Sequence, residues 1–160
     1  MLIRPTTDVD IKLFRRECVG DRLEERTCRP IEAGRRAPRD PRKEDWTFVT
    51  DDQPAGWVSL FDFNPRNRSA EFGYGIIRPL RGKGIGKRML AVAFDHFFCE
   101  ADLNKLYCQT ASFNVPSVRL LESLGLNRDG VLRAHHELDG DLHDDYIYSL
   151  LRHEWRTDPA

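Results

Sequence analysis

The feature that most constrains this chain is a glycine-rich turn in the middle of the sequence. It reads Arg81-Gly82-Lys83-Gly84-Ile85-Gly86-Lys87 and joins a predicted strand over residues 69–77 to a predicted helix. Glycines leave the backbone N–H groups at the start of such a helix accessible, and the helix dipole adds positive potential there. Arg81 and Lys83 add charge at its mouth. The turn is therefore predicted to bind a phosphate group.

Two common nucleotide-binding motifs do not fit these residues. A P-loop would need glycine at position 81 and Ser or Thr at position 88, where the chain has Arg81 and Arg88. A dinucleotide fingerprint starting at Gly82 would need glycine in place of Lys87, and it normally lies in the first βαβ unit. The pattern that remains is R-x-x-G-x-G at a strand-to-helix junction.

Periodicity along the chain predicts one mixed α/β domain. Strands are predicted at residues 2–5, 47–50, 56–63, 69–77 and 105–110, with a C-terminal hairpin at 130–138 and 146–155. A first helix is predicted to run to about Glu17, and residues 21–45, rich in proline and arginine, read as a surface loop. The helix after the glycine turn buries one face: Ile85, Met89, Leu90, Ala93, Phe94 and Phe97.

A further helix is predicted after residue 110. Asn114 can cap it, Pro116 suits its first turn, and Gly125 can end it as a left-handed residue on which Leu126 folds back. Its buried face is predicted to include Leu121.

The composition argues against several classes of function. The chain has 160 residues, 40% hydrophobic, which fits a single domain over residues 1–160. A net charge of -1 does not suggest nucleic acid or an anionic membrane as a partner. No stretch approaches the roughly 20 apolar residues of a membrane span, and no signal region is seen. The four cysteines form no C-x-x-C pair, so no metal site is expected, and the sequence favours a cytoplasmic protein.

Three segments resemble a known family, the GNAT N-acetyltransferases. They read EFGYGIIRPLRGKGIGKRML, FNVPSVRLLESLGL and GVLRAHHELDGDLHDDYIYSLL, and the last is similar to the RimJ/RimL-like branch. The resemblance covers roughly residues 55–155 and implies one GNAT-type α/β domain. Such a domain has a mixed, mostly antiparallel sheet with helices on both faces, and a splayed pair of strands holds the cofactor.

The resemblance implies an enzyme that moves an acetyl group from acetyl-CoA to a primary amine by direct attack, without a covalent cysteine intermediate. A protein or peptide N-terminus is the favoured acceptor; polyamines and amino sugars stay open. The pyrophosphate would bind the backbone amides of Arg81, Gly82, Lys83, Gly84, Ile85, Gly86 and Lys87. The main chain at Ile76 and Ile77 would pair with the pantetheine arm, and Asn114 would contact it from the other side, or serve only as a helix cap.

Three residues are candidates for the chemistry. Glu71 lies on the strand leading to the glycine turn, opposite in alternation to the large apolar residues, and is the first candidate base. Ser117 could donate to the leaving sulfur, or only cap a helix. His136 matches a position where the branch often has glutamate; it is a second candidate base, or a surface histidine beside His135.

One departure leaves a second function open. Many relatives carry a tyrosine as proton donor at the position of Leu121, which cannot donate. A catalytically inactive acyl-CoA-binding module is therefore the alternative. Carboxylates near the closing hairpin, Asp144 and Asp145 among them, could attract a cationic acceptor or merely keep an edge strand soluble. The hairpin edges leave homodimerisation open.

Overall fold

A computed structural model describes residues 2–18 and 42–155. Most of the predicted loop at residues 21–45 therefore lies outside the described residues. The regular elements are β1 Leu2–Pro5, α1 Asp8–Cys18, β2 Glu44–Thr50, β3 Gln53–Asn64, β4 Ser69–Ile76, α2 Ile85–Glu100, β5 Lys105–Ala111, α3 Val115–Ser123, β6 Asn127–Leu138 and β7 Asp141–Leu151. Single 3₁₀ turns at Arg78–Leu80 and Arg152–Glu154 follow β4 and β7.

The strands form one seven-stranded sheet in the order β1-β2-β3-β4-β5-β7-β6. Every neighbouring pair is antiparallel except β4 and β5, which are parallel. These two strands pair only between Ser69–Glu71 and Lys105–Tyr107, although both continue for several residues. The predicted fold class, a mixed and mostly antiparallel sheet with a splayed pair of strands, is confirmed.

Helices pack on both faces of the sheet. On one face, α2 buries the apolar residues predicted from its periodicity, and the Phe94 ring meets the edge of Phe72 from β4 at 5.1 Å between centroids. On the other face, Arg4 of β1 forms an ion pair of 2.6 Å with Asp10 of α1. This pair, supported by hydrogen bonds from Thr7, holds the pKa of Asp10 well below its usual range.

The predicted boundaries of α3 are confirmed. The Asn114 side chain accepts a hydrogen bond from the Ser117 N–H, with Pro116 in the first turn. At the other end Gly125 has φ of 82°, which glycine adopts at no steric cost. Its N–H donates to the Glu122 carbonyl at 3.0 Å, and the Leu126 N–H donates to the Leu121 carbonyl at 3.2 Å. This pair of bonds is a Schellman motif, which ends the helix.

The antiparallel strands are longer than predicted. The turn between β2 and β3 is only Asp51-Asp52, both with positive φ, because the strands pair up to Thr50 and Gln53. The predicted last strand over residues 146–155 is wrong at both ends, since β7 begins at Asp141 and ends at Leu151. Pairing with β5 and β6 sets both ends of β7, and after Leu151 the chain forms the 3₁₀ turn Arg152–Glu154.

Arg152 explains why the chain leaves the sheet at this point. Its guanidinium donates to the carbonyls of Leu103 and Ala101, at 2.6 and 2.7 Å, and to the carbonyl of Phe98. Carbonyls at the end of α2 lack partners within the helix, so one cation satisfies several of them.

None of the helices α1, α2 and α3 has both the length and the hydropathy of a membrane-spanning segment.

We predict that Arg152→Met lowers the free energy of unfolding by about 1–2 kcal/mol, because these carbonyls lose a charged donor. Urea denaturation followed by circular dichroism measures the change. Arg152→Lys is the matched control; it keeps the charge with a single donor group and should lose less. Equal stability of the Met variant and the wild type would contradict this role.

Candidate active site

Two residues of the glycine turn have a backbone conformation that favours glycine. Gly82 and Gly84 have φ of 72° and 74°, in the left-handed region. A Cβ atom at either position would meet nothing within 4 Å, so conformation rather than crowding requires glycine there. Gly84 is the N-cap residue of α2 and provides no side-chain cap. The first N–H groups of α2 therefore begin at an open surface, as an anion site requires.

One hydrogen bond joins the glycine turn to the end of β4, and a second joins the residue after β4 to β3. The Arg81 Nε donates to the Ile76 carbonyl at 2.8 Å, and the Ile77 N–H donates to the Ala55 carbonyl at 3.1 Å. The Ile77 carbonyl accepts from the Leu80 N–H at 3.0 Å. The cofactor contacts expected at Ile76 and Ile77 stay predictions, and a cofactor would have to share these groups or displace their present partners.

The opening between β4 and β5 begins directly after Glu71. Beyond this residue β4 remains paired with β3 through Ile76, but β5 no longer pairs with its other edge. Polar main-chain groups along an unpaired strand edge can hydrogen-bond an extended ligand as if it were another strand.

On the α3 side of this opening, two hydroxyl groups meet. Tyr74 of β4 and Ser117 of α3 are hydrogen-bonded at 2.6 Å. Burial raises the pKa of Tyr74, so the phenol stays protonated and can donate. Leu121, one turn further along α3, is fully buried in the core. The sequence interpretation included Ser117 but missed Tyr74; the strand alternation, which places Tyr74 on the helix face, was the available signal.

On the opposite face of the sheet lies Glu71, as the alternation predicted. It stands beside Tyr107 in the β4–β5 register, and the Tyr107 hydroxyl donates to the Asp62 carboxylate. Burial raises the pKa of Glu71, and the nearby negative charge of Asp62 raises it further. A carboxylate with a raised pKa is a better proton acceptor than an ordinary glutamate.

His136 lies on the same face of the sheet as Glu71. Gln109 is two residues beyond Tyr107 on β5, and its side-chain amide donates to Asp145 of β7 at 2.6 Å. The other oxygen of Asp145 lies 3.4 Å from His136 Nδ1. The structure thus groups Glu71 and His136 on one face, while Ser117 lies on the other. His135, the neighbour of His136, is exposed.

Two other features lie outside this arrangement. Burial raises the pKa of Cys108, so its thiol stays protonated and is a poor nucleophile.

A surface depression of about 360 Å³ lies at the other end of β4, with Phe63, Ser69 and Leu103 in its lining, and contains none of the predicted site residues. No group of three potential metal ligands occurs within residues 2–18 and 42–155.

The family model and the similar curated proteins agree on one family. Residues 2–127 match the model of the acetyltransferase (GNAT) domain. The SPbeta prophage-derived uncharacterized N-acetyltransferase YokL of Bacillus subtilis is 30% identical over 71% of the chain and 66% of its own length. The putative ribosomal N-acetyltransferase YdaF of B. subtilis is 33% identical over 68% and 59%. The chain therefore spans less than two thirds of the length of these relatives.

Solved structures agree on the architecture. A probable acetyltransferase is 31% identical, with a TM-score of 0.65 over 72% of this chain and 66% of that one. A mutant of the spermidine N-acetyltransferase SpeG from Vibrio cholerae has a TM-score of 0.82 over 98% of both chains, at 20% identity. RimJ of Mycobacterium smegmatis has a TM-score of 0.77 over 93% of this chain and 80% of its own, also at 20% identity. The last two likenesses show the fold alone.

We predict that Asp62→Asn lowers the pKa of Glu71, because the substitution removes a negative charge that opposes the ionisation of Glu71. Asparagine suits the left-handed backbone at this position. The pKa should stay above the ordinary glutamate value, since burial is the larger cause. NMR titration of ¹³C-labelled glutamate measures it, with the exposed Asp102→Asn as control. An unchanged Glu71 pKa in the Asp62 variant would contradict the electrostatic coupling.

Proposed function

Because the chain belongs to the GNAT acetyltransferase family, we propose that it transfers an acetyl group from acetyl-CoA to a primary amine. The opening between β4 and β5 carries this proposal. It has a glycine turn at its end, the Tyr74–Ser117 hydroxyl pair on one face and Glu71 on the other. A thioester in the opening would have donors for its sulfur on one side and a proton acceptor for the amine on the other.

The cofactor would bind along the edge of β4. The pyrophosphate would accept hydrogen bonds from amides of residues 81–87, and the pantetheine arm would pair with the free edge between Phe72 and Ile76. The two roles considered for Asn114 are compatible. Its Oδ1 caps α3, so its side-chain N–H groups can serve the pantetheine arm at the same time.

The reaction proceeds in a ternary complex. The neutral amine attacks the carbonyl carbon of the thioester, the carbon–sulfur bond breaks, and Glu71 takes the proton from the attacking nitrogen. Ser117 donates a hydrogen bond to the departing thiolate while it accepts one from Tyr74. A thiol has a pKa of roughly 8.5, so this donor needs only to stabilise the thiolate.

The acceptor we favour is the N-terminus of a protein or peptide. An α-amine has a pKa of roughly 8, compared with roughly 10.4 for a lysine amine, so it demands less of the base. A small polyamine is the second candidate. It is favoured by the negative charge of Glu71, Asp62 and Asp145 on the acceptor face, and a spermidine N(1)-acetyltransferase of Escherichia coli is 28% identical over 66% of the chain and 56% of its own length.

We predict that Gly84→Ala weakens CoA binding about five- to thirtyfold. A side chain in the left-handed region costs about 1–2 kcal/mol, and the turn is expected to relax away from the geometry that holds the pyrophosphate. Calorimetric titration with CoA measures the affinity. Gly130→Ala is the matched control, because a Cβ there also meets nothing within 4 Å but the backbone φ is not positive. Equal weakening by both variants would argue against a phosphate site at the turn.

We predict that Glu71→Gln lowers kcat/KM about 100-fold and leaves CoA affinity unchanged, because the substitution removes the base but not the cofactor site. Release of CoA thiol is measured with peptides, polyamines and amino sugars as acceptors. Glu44→Gln, an exposed strand glutamate, is the control. Thiol release from none of these acceptors, together with tight CoA binding, would instead support the acyl-CoA-binding module.

A further inference from the structure

Asp145 is a buried carboxylate with one oxygen left without a hydrogen-bond donor. The residue is 3% exposed, and its Oδ2 accepts from the Gln109 amide at 2.6 Å. Its Oδ1 has no hydrogen-bond partner among the described residues. Leaving such an oxygen unsatisfied is costly, so a natural sequence is expected to retain it only where it has a use.

The imidazole of His136 lies next to this oxygen. The His136 Nδ1 lies 3.4 Å from Asp145 Oδ1, and the imidazole keeps 21% of its side-chain surface exposed. The ring is held from another side by Phe113, whose edge-on contact has centroids 5.3 Å apart. One nitrogen of the imidazole thus faces a buried carboxylate, while part of the ring remains open to solvent.

An irregularity in β6 brings His136 to this position. The register with β7 shifts between Leu132, opposite Asp145, and His136, opposite His143. Within the shifted stretch, Ala134 has φ of 50°, and its N–H donates to the Asp144 carboxylate at 2.9 Å. A positive φ is unfavourable for alanine, and bulges of this kind often re-aim a side chain beside an active site.

We propose that His136 and Asp145 form a dyad that removes the first proton from the ammonium group of the acceptor. Asp145 is the positioning residue: it holds the proton on His136 Nδ1, so that Nε2 carries the free lone pair. This inference rests on the proposed acetyl transfer. It also complements Glu71, because an ammonium must lose two protons to become an amide.

The proton balance is complete without another reactant. His136 Nε2 takes one proton from the ammonium, and the neutral amine then attacks the thioester. Glu71 takes the second proton as the carbon–sulfur bond breaks. One of these protons ends on the CoA thiol, and the other passes to solvent.

A second histidine lies near His136 and serves as a control. His143 is opposite His136 in the β6–β7 register and also contacts Phe113, at 5.0 Å between ring centroids. On the β5 side the neighbours Gln109 and Phe113 carry no charge. The rate of the Asp145 variant should therefore be compared with that of His143→Gln.

Kinetic measurements on the full chain test the dyad. We expect His136→Ala to lower kcat/KM about 100-fold and added imidazole to restore part of the rate. Imidazole should not rescue Glu71→Gln. His135→Ala is the matched control, because this adjacent histidine is exposed and should be dispensable. Equal rates in both histidine variants, or no rescue by imidazole, would overturn the dyad.

Asp145→Asn provides a second readout. We expect kcat to fall about tenfold with KM for the acceptor unchanged, because the asparagine amide can donate to His136 Nδ1 and so favours the tautomer that carries the proton on Nε2. CoA affinity should not change. A raised KM with an unchanged kcat would mean that Asp145 is only structural. If the wild type itself releases no thiol with any acceptor, the proposed function fails; if it is active and the dyad variants match the wild type, only this inference fails.

Discussion

The short parallel pairing of β4 and β5 is the constraint on which the rest of the site depends. Parallel neighbours need a crossover, and here the glycine turn and α2 supply it. The crossover packs against the sheet core, so the beginnings of both strands are held firmly together. Their ends are free to separate, because β5 pairs with β7 over its whole length and β4 pairs with β3. An opening in the middle of a sheet is thus obtained without exposing the core.

The two faces of the sheet separate the residues to which we assign the chemistry. Strand alternation directs Tyr74 toward α3, where it meets Ser117, and directs Glu71 to the other side. A proton acceptor and a sulfur donor on opposite faces can act on one molecule only if it lies between the strands. Leu121 belongs to the buried core, and its carbonyl ends α3. In the proposed mechanism the hydroxyl of Tyr74 on β4 takes the place of a donor at position 121.

Local features of the site could be predicted from sequence, and features that depend on distant pairing could not. The cap at Asn114, the left-handed Gly125 and the face of Glu71 follow from residues within a few positions of one another. The bond between Tyr74 and Ser117 joins residues 43 positions apart, and no local pattern encodes it. The end of β7 could not be predicted, because no glycine or proline stands between Leu151 and Trp155 to mark the end of a strand. The carbonyls that bind Arg152 come from the end of α2 and the loop after it, far away in the sequence.

Two local costs coincide at the acceptor face. Ala134 has a backbone conformation that disfavours side chains, by about 1–2 kcal/mol, and Asp145 keeps a buried oxygen without a donor. Glycine at position 134 would remove the first of these costs. Their separate presence would mean little, but both act on the placement of one imidazole. Unfavourable features that converge on one titratable group are better explained by a role in proton transfer than by packing, because packing alone would favour an apolar side chain at Asp145.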